Sequence, residues 1–348
     1  MHAPLPSILI LGTAAALILT GCTAGPEPEA QPSDAQVSDD SFTLYSGRDE
    51  ELIAPLIEMF EQASGIDVDV RYGNTAELGA LLLEEGDRTP AQVFLSQDAG
   101  ALGALSNADL FATLPADVTA AVPAGFTSTD DSWVGVTGRA RVIVYNSDAL
   151  APEQVPVTVD AFAEPEWSGR LGIAPTNASF QAFITAYRVL NGEQAAEDWV
   201  QAVSANNPQI FENNRAVLAA VEDGVIDAGL INHYYWFAQA AETGAQNMSA
   251  QLSYPQAGDP GSIVNVTGAG ILKTGETDAD ALEFVRFLVS PEAQQYFVDQ
   301  TFEYPLIDGV DAPEGLPELD SLVNPGLDLS DLESLADTQA LLSRHGLI

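Results

Sequence analysis

Ile231-Asn232-His233-Tyr234-Tyr235-Trp236-Phe237 follows directly on the apolar run Val225-Ile226-Asp227-Ala228-Gly229-Leu230-Ile231, the pattern of a buried strand that turns aromatic as it leaves its sheet. In open α/β sheets, ligands bind outside the carboxyl ends of the strands, so this is a place where function is expected. Two adjacent tyrosines there admit two readings. They can be amphipathic packing with their hydroxyls at the edge of a core. Alternatively, their phenolates can act as hard, anionic oxygen donors, which suit a small, highly charged cation such as ferric iron better than a soft metal.

Upstream, strands and helices alternate. Phe42 to Ser46 reads as a strand and Glu50 to Ala63 as a helix with Leu52, Ile53, Leu56, Ile57 and Phe60 on one stripe, N-capped by Asp49. Ile66 to Tyr72 alternates like a strand, Ala76 to Glu85 is helical, and the strand Gln92 to Ser96 ends at Gln97-Asp98. Such alternation predicts a mainly parallel sheet. Trp133 to Gly138 can cross between lobes and leads into the strand Arg141 to Asn146, on which Tyr145 is expected to be core. The strand Leu171 to Ala174 runs through Pro175-Thr176-Asn177-Ala178-Ser179 into a helix from Phe180. Free N–H groups and small polar side chains at such a start can hold an anion, or Asn177 or Ser179 can simply cap it. Asn213-Asn214 opens a second helix, Arg215 to Glu222, in the same manner.

The 348 residues are 46% hydrophobic, enough for two lobes with their own cores. Fifty-one acidic residues against eleven basic ones give a net charge of −40, which excludes nucleic acid and anionic lipid as partners and fits either a solubility adaptation or a cation-concentrating field. Ile8 to Leu19 is apolar but too short to span a bilayer, and it ends at Leu19-Thr20-Gly21-Cys22. This segment resembles the lipobox of bacterial lipoproteins, which implies lipidation of Cys22 and an extracytoplasmic location anchored to the cell membrane. The n-region departs from that pattern in having no Lys or Arg. The chain has no other cysteine, and residues 22–41 have the composition of a disordered tether.

Leu44-Tyr45-Ser46-Gly47-Arg48, Leu81-Leu82-Leu83-Glu84-Glu85-Gly86-Asp87, Gly135 to Asn146, Ile231 to Trp236, Leu288 to Gln294 and Glu303-Tyr304-Pro305-Leu306 together resemble the ferric-ion-binding proteins of bacterial ABC importers. The resemblance implies the type II periplasmic-binding-protein fold, two α/β lobes joined by crossing strands with a ligand cleft between them. One lobe is expected over residues 42–138 with 267–313, the other over 139–266 with 314–348. It implies that Tyr234 and Tyr235 bind Fe(III), with the other metal positions falling on Asp49 and Gln97. A synergistic carbonate or phosphate would meet Asn177, Ala178, Ser179, Asn214 and Asn232. Asp49 departs from the family's histidine but keeps an anionic oxygen, whereas Gln97 replaces a glutamate with a neutral amide, and Asp98 stands beside it. Arg48 can either pair with the anion or form a surface ion pair with a nearby acid. The resemblance further implies a monomeric carrier that meets an ABC permease and its ATPase subunit.

Carriers of this fold for thiamine, phosphonates, sugars or oxyanions remain an alternative, with an exposed aromatic cluster stacking on an organic ring. A lipoprotein hydrolase has less to recommend it. No Gly-x-Ser-x-Gly elbow is present, His345 reads as solvated, and His233 reads as a support for the tyrosine loop.

Overall fold

A computed structural model describes residues 40–322 and 327–348. The signal segment, Cys22 and all but the last two residues of the expected tether lie outside the described residues. Among the described residues no helix is long and apolar enough to cross a membrane.

The first third follows the alternation in the sequence: β1 (Ser41–Ser46), α1 (Glu50–Ser64), β2 (Asp67–Tyr72), α2 (Thr75–Glu85), β3 (Val93–Ser96) and α3 (Ala99–Asn107). Helix α1 buries Ile53, Leu56, Ile57 and Phe60, the stripe expected, while Leu52 is only half buried. Phe60 packs edge-on against Phe284 with ring centroids 5.1 Å apart, and Phe42 and Phe287 complete the aromatic cluster. Asp49 occupies the N-cap position of α1, but its side chain makes no capping hydrogen bond and stays exposed.

After the one-turn α4 (Ala116–Thr119) comes β4 (Val134–Asn146), buried along its whole length. The remaining elements are β5 (Leu171–Ile173), α5 (Ala178–Asn191), α6 (Glu193–Ala205), β6 (Gln209–Ile210), α7 (Asn214–Glu222), β7 (Ala228–Asn232), α8 (His233–Thr243), β8 (Ala250–Ser253), β9 (Val264–Ile271), α9 (Ala279–Leu288), α10 (Pro291–Tyr296), β10 (Tyr304–Pro305) and α11 (Leu335–Arg344). The strand expected from Val225 begins three residues later, at Ala228. Val225 is exposed in the bend before the strand, and Asp227 pairs with Arg170 at 2.6 Å.

The strand order is β2-β1-β3-β9-β4-β7-β5-β6, with β8 and β10 also pairing with β4. Parallel pairs lie at the two ends and antiparallel β4 and β9 run between them. Strand β4 changes partners midway: Val134 to Ala140 lies against β9, and Arg141 to Tyr145 against β7. A register shift between Gly135 and Thr137 bends the first part. Gly135 is required there, since a Cβ would come 2.4 Å from the Phe126 carbonyl oxygen. Tyr145 is buried in the core, as its strand position suggested.

The 3₁₀ turn Leu329–Glu333 packs on α3, while α11 packs on α5, so the C-terminal segment touches elements from both ends of the sheet. The chain's only lysine, Lys273, lies just past β9 and pairs with Asp109 at 2.6 Å.

Candidate functional site

The tyrosines stand on the first turn of α8, immediately beyond β7, and both are buried, at 4% and 8% exposure. Their rings lie 4.2 Å apart at 31°, a stacked pair rather than two unrelated packing contacts. Burial pushes the Tyr234 hydroxyl well above its ordinary pKa, and neighbouring Tyr235 adds to this, while Arg48 and Arg139 pull it back. A phenol in this setting is neutral until a cation replaces its proton.

His233 is fully buried between β4 and the segment after α10. The Ala140 N–H donates to its Nδ1 at 3.1 Å, and Nε2 lies 2.9 Å from the Phe302 carbonyl oxygen, a pattern that fits the neutral tautomer with its proton on Nε2. Burial lowers its pKa to about 4, against the opposing pull of those backbone contacts and of Glu303. This is the loop-supporting role expected for His233, at an unexpectedly deep position. His345, expected to be solvated, is instead partly covered and lies 3.4 Å from Glu197.

The start of α5 forms a polar knot. Asn177 caps the helix by accepting from the Ser179 N–H at 3.0 Å, and the Ser179 hydroxyl donates to the same oxygen at 2.6 Å. Asn214 Nδ2 donates to Ser179 Oγ at 3.0 Å and to Asn177 Oδ1 at 3.4 Å. Asn214 is fully buried, and its Oδ1 has no hydrogen-bond partner among the described residues. Asn232 accepts from Arg141 at 3.5 Å, so β7 and α5 meet at one guanidinium.

Two arginines of β4, Arg139 and Arg141, complete the buried set, and the sequence reading did not single them out. Arg141 donates to Ser179 Oγ at 3.0 Å and to the Leu230 carbonyl at 2.9 Å. Burial lowers its pKa to about 9, while the tyrosines act to raise it, so it remains a cation at neutral pH. Its Nε, together with Arg139 Nε and Nη1, has no hydrogen-bond partner among the described residues. The available signal was scarcity: in a chain with eleven basic residues, two arginines alternating along an otherwise apolar strand call for a reason.

Arg48 is neither on the surface nor paired with a nearby acid. It forms a buried ion pair with Glu303, whose other oxygen accepts from the Thr137 hydroxyl. Burial opposes the charge on Arg48, but Glu303 and the tyrosine oxygens outweigh it and raise its pKa.

A cavity of about 420 Å³ opens beside these groups, lined by Arg48, Asp49, Tyr72, Gln97, Asn177 and Ala178 among others. It therefore brings Asp49 and Gln97 together with the α5 start. Asp98 does not join them. It caps α3, accepting from the Gly100 N–H at 3.0 Å, and burial raises its pKa against the pull of Arg139. Among the described residues no three of His, Cys, Asp and Glu converge as a metal cluster.

Bacterial extracellular solute-binding proteins match this chain over residues 88–330. The Fe(3+)-binding periplasmic protein of Serratia marcescens is 32% identical over 317 residues, 91% of this chain and 93% of that protein. Iron-bound HitA from Pseudomonas aeruginosa superposes with a TM-score of 0.83 at 33% identity, covering 88% of this chain and 99% of that one. A Trichodesmium protein in complex with iron and citrate gives a TM-score of 0.75 at 28% identity, over 88% of this chain and 100% of its own.

Proposed function

The chain belongs to the bacterial extracellular solute-binding proteins and has their type II periplasmic-binding-protein fold, and from that premise we propose that it carries ferric iron to an ABC permease and its ATPase. The observation that carries this reading is the stacked, buried pair Tyr234 and Tyr235 beside three buried arginines. Fe(III) prefers hard anionic oxygens, and a phenol that burial keeps protonated yields such an oxygen only when a strong Lewis acid displaces the proton. Each iron bound therefore releases one proton from each phenol, and affinity falls with acid.

The remaining coordination would fall to Asp49 and Gln97, which line the cavity, and to an external anion, carbonate or phosphate. The anion would rest at the α5 start on Asn177, Ala178 and Ser179, with Asn214, Asn232 and Arg141 around it. Unpartnered donors on buried arginines support an anion there, since each left alone costs about 1–3 kcal/mol. Gln97, being neutral, makes a weaker ligand than a carboxylate, so the anion carries more of the site's charge balance. Closure would turn on β4 and β9, with the lobes divided at residues 138/139 and 266/267 and with 314–348 counted in the second. The monomer would be anchored by lipid on Cys22 and display the closed form to the permease.

Titration of the purified protein with ferric citrate, with and without bicarbonate or phosphate, tests the reading. A saturable tyrosinate-to-iron charge-transfer band is expected, lost in the Tyr234→Phe, Tyr235→Phe double variant. A colourless wild type at every anion concentration, or a double variant of unchanged colour, would overturn it.

A further inference from the structure

Arg48 lines the cavity and lies within electrostatic reach of both tyrosines, yet its charge is already compensated. The side chains of Arg48 and Glu303 are 1% and 0% exposed, and the Thr137 hydroxyl holds the second carboxylate oxygen. The segment that delivers Glu303 has little freedom. It follows a π-helical turn, Phe297–Thr301, and Phe302 takes the left-handed conformation (φ 56°, ψ 31°) that a non-glycine residue adopts at a cost. The Phe302 carbonyl is held by His233 at 2.9 Å, and Tyr304-Pro305 pairs with Gly138 and Thr137. Glu303 is thus fixed at once to β4, to the tyrosine helix and to the loop after β1.

The other side of the site is different. Among the described residues Arg141 donates only to neutral acceptors, Ser179, Asn232 and the Leu230 carbonyl, so its charge is open to an anion at the α5 start. We propose that Glu303 is a built-in counter-anion that decides how many external anions the site takes: by neutralising Arg48 it confines the external anion to the α5 start beside Arg141. The inference rests on the ferric reading of the tyrosine pair. It makes Glu303 a specificity-determining residue, held by Thr137 and by the clamp on Phe302.

The test is the amount of phosphate retained per iron after gel filtration, together with the phosphate dependence of the charge-transfer band. Wild type is expected to retain one phosphate per iron. In Glu303→Gln, Arg48 is released, and a second phosphate per iron is expected, with half-saturation at about tenfold lower phosphate, the worth of one charge-assisted hydrogen-bonded contact. The charge-neutral double variant Arg48→Met, Glu303→Gln is expected to return to one. If Glu303→Gln does not fold, Thr137→Val decides, since it loosens the carboxylate without stranding a buried charge: half-saturation lowered about threefold supports the proposal, and an unchanged value overturns it. A folded, coloured Glu303→Gln with one phosphate per iron and wild-type phosphate dependence overturns it while leaving the ferric reading intact. A wild type with no band removes the ferric reading itself, and this inference with it.

Discussion

His233 ties together the elements around the tyrosine pair. Its ring joins β4, the start of α8 and the left-handed Phe302, and it does so only as the neutral imidazole. Because burial lowers its pKa to about 4 from an unfolded value of 6.5, the unfolded chain binds more protons between those limits. Its contribution is therefore full above pH 6.5 and is lost as pH falls toward 4, on the order of 3 kcal/mol in all. Thermal melts of the iron-free protein should show His233→Gln losing stability against wild type at neutral pH, with the gap closing near pH 4. A gap that does not change with pH would contradict this. The tyrosines and His233 were legible because they are contiguous with a strand end. Arg48 was singled out as well, but its pairing with Glu303 was not legible, because 255 residues separate them and nothing local marks either as the other's partner.

At the scale of elements, the α5 start caps its helix and, in the reading proposed above, also receives the anion, two roles the sequence left unresolved. Asn177 caps the helix, and its oxygen also receives Ser179 and Asn214. Asn177→Ala should cost about 1 kcal/mol in stability as well as weaken the anion dependence of iron binding. Asn177→Asp separates the roles: it keeps the cap, so the melting temperature should hold, while its charge repels the anion and raises the concentration needed for colour. Equal anion dependence in Asn177→Asp and wild type would remove the helix start from the anion site. The pattern of strands and helices was readable from periodicity to within a few residues. The direction of Asp98 was not, because an acid at a strand end can cap the next helix or face a ligand equally well, and only α3, with two N–H groups to satisfy, decides it.

For the whole molecule, a charge of −40 means that folding gathers carboxylates against their mutual repulsion. Screening length falls from about 10 Å at 0.1 M salt to about 3 Å at 1 M. The melting temperature should therefore rise with sodium chloride over that range, as read by calorimetry, and a flat or falling curve would show that the buried pairs dominate instead. Against this background the lone lysine acquires a practical meaning. Lys273 is 40% exposed and follows Ile271, which pairs with Val93 at the start of β3, whereas Gln97 at the cavity follows the other end of that strand. The single side-chain amine thus lies at the far end of its half-sheet from the cleft. Coupling through it would give a sensor surface on which every molecule is held in one orientation with its mouth turned to the solution.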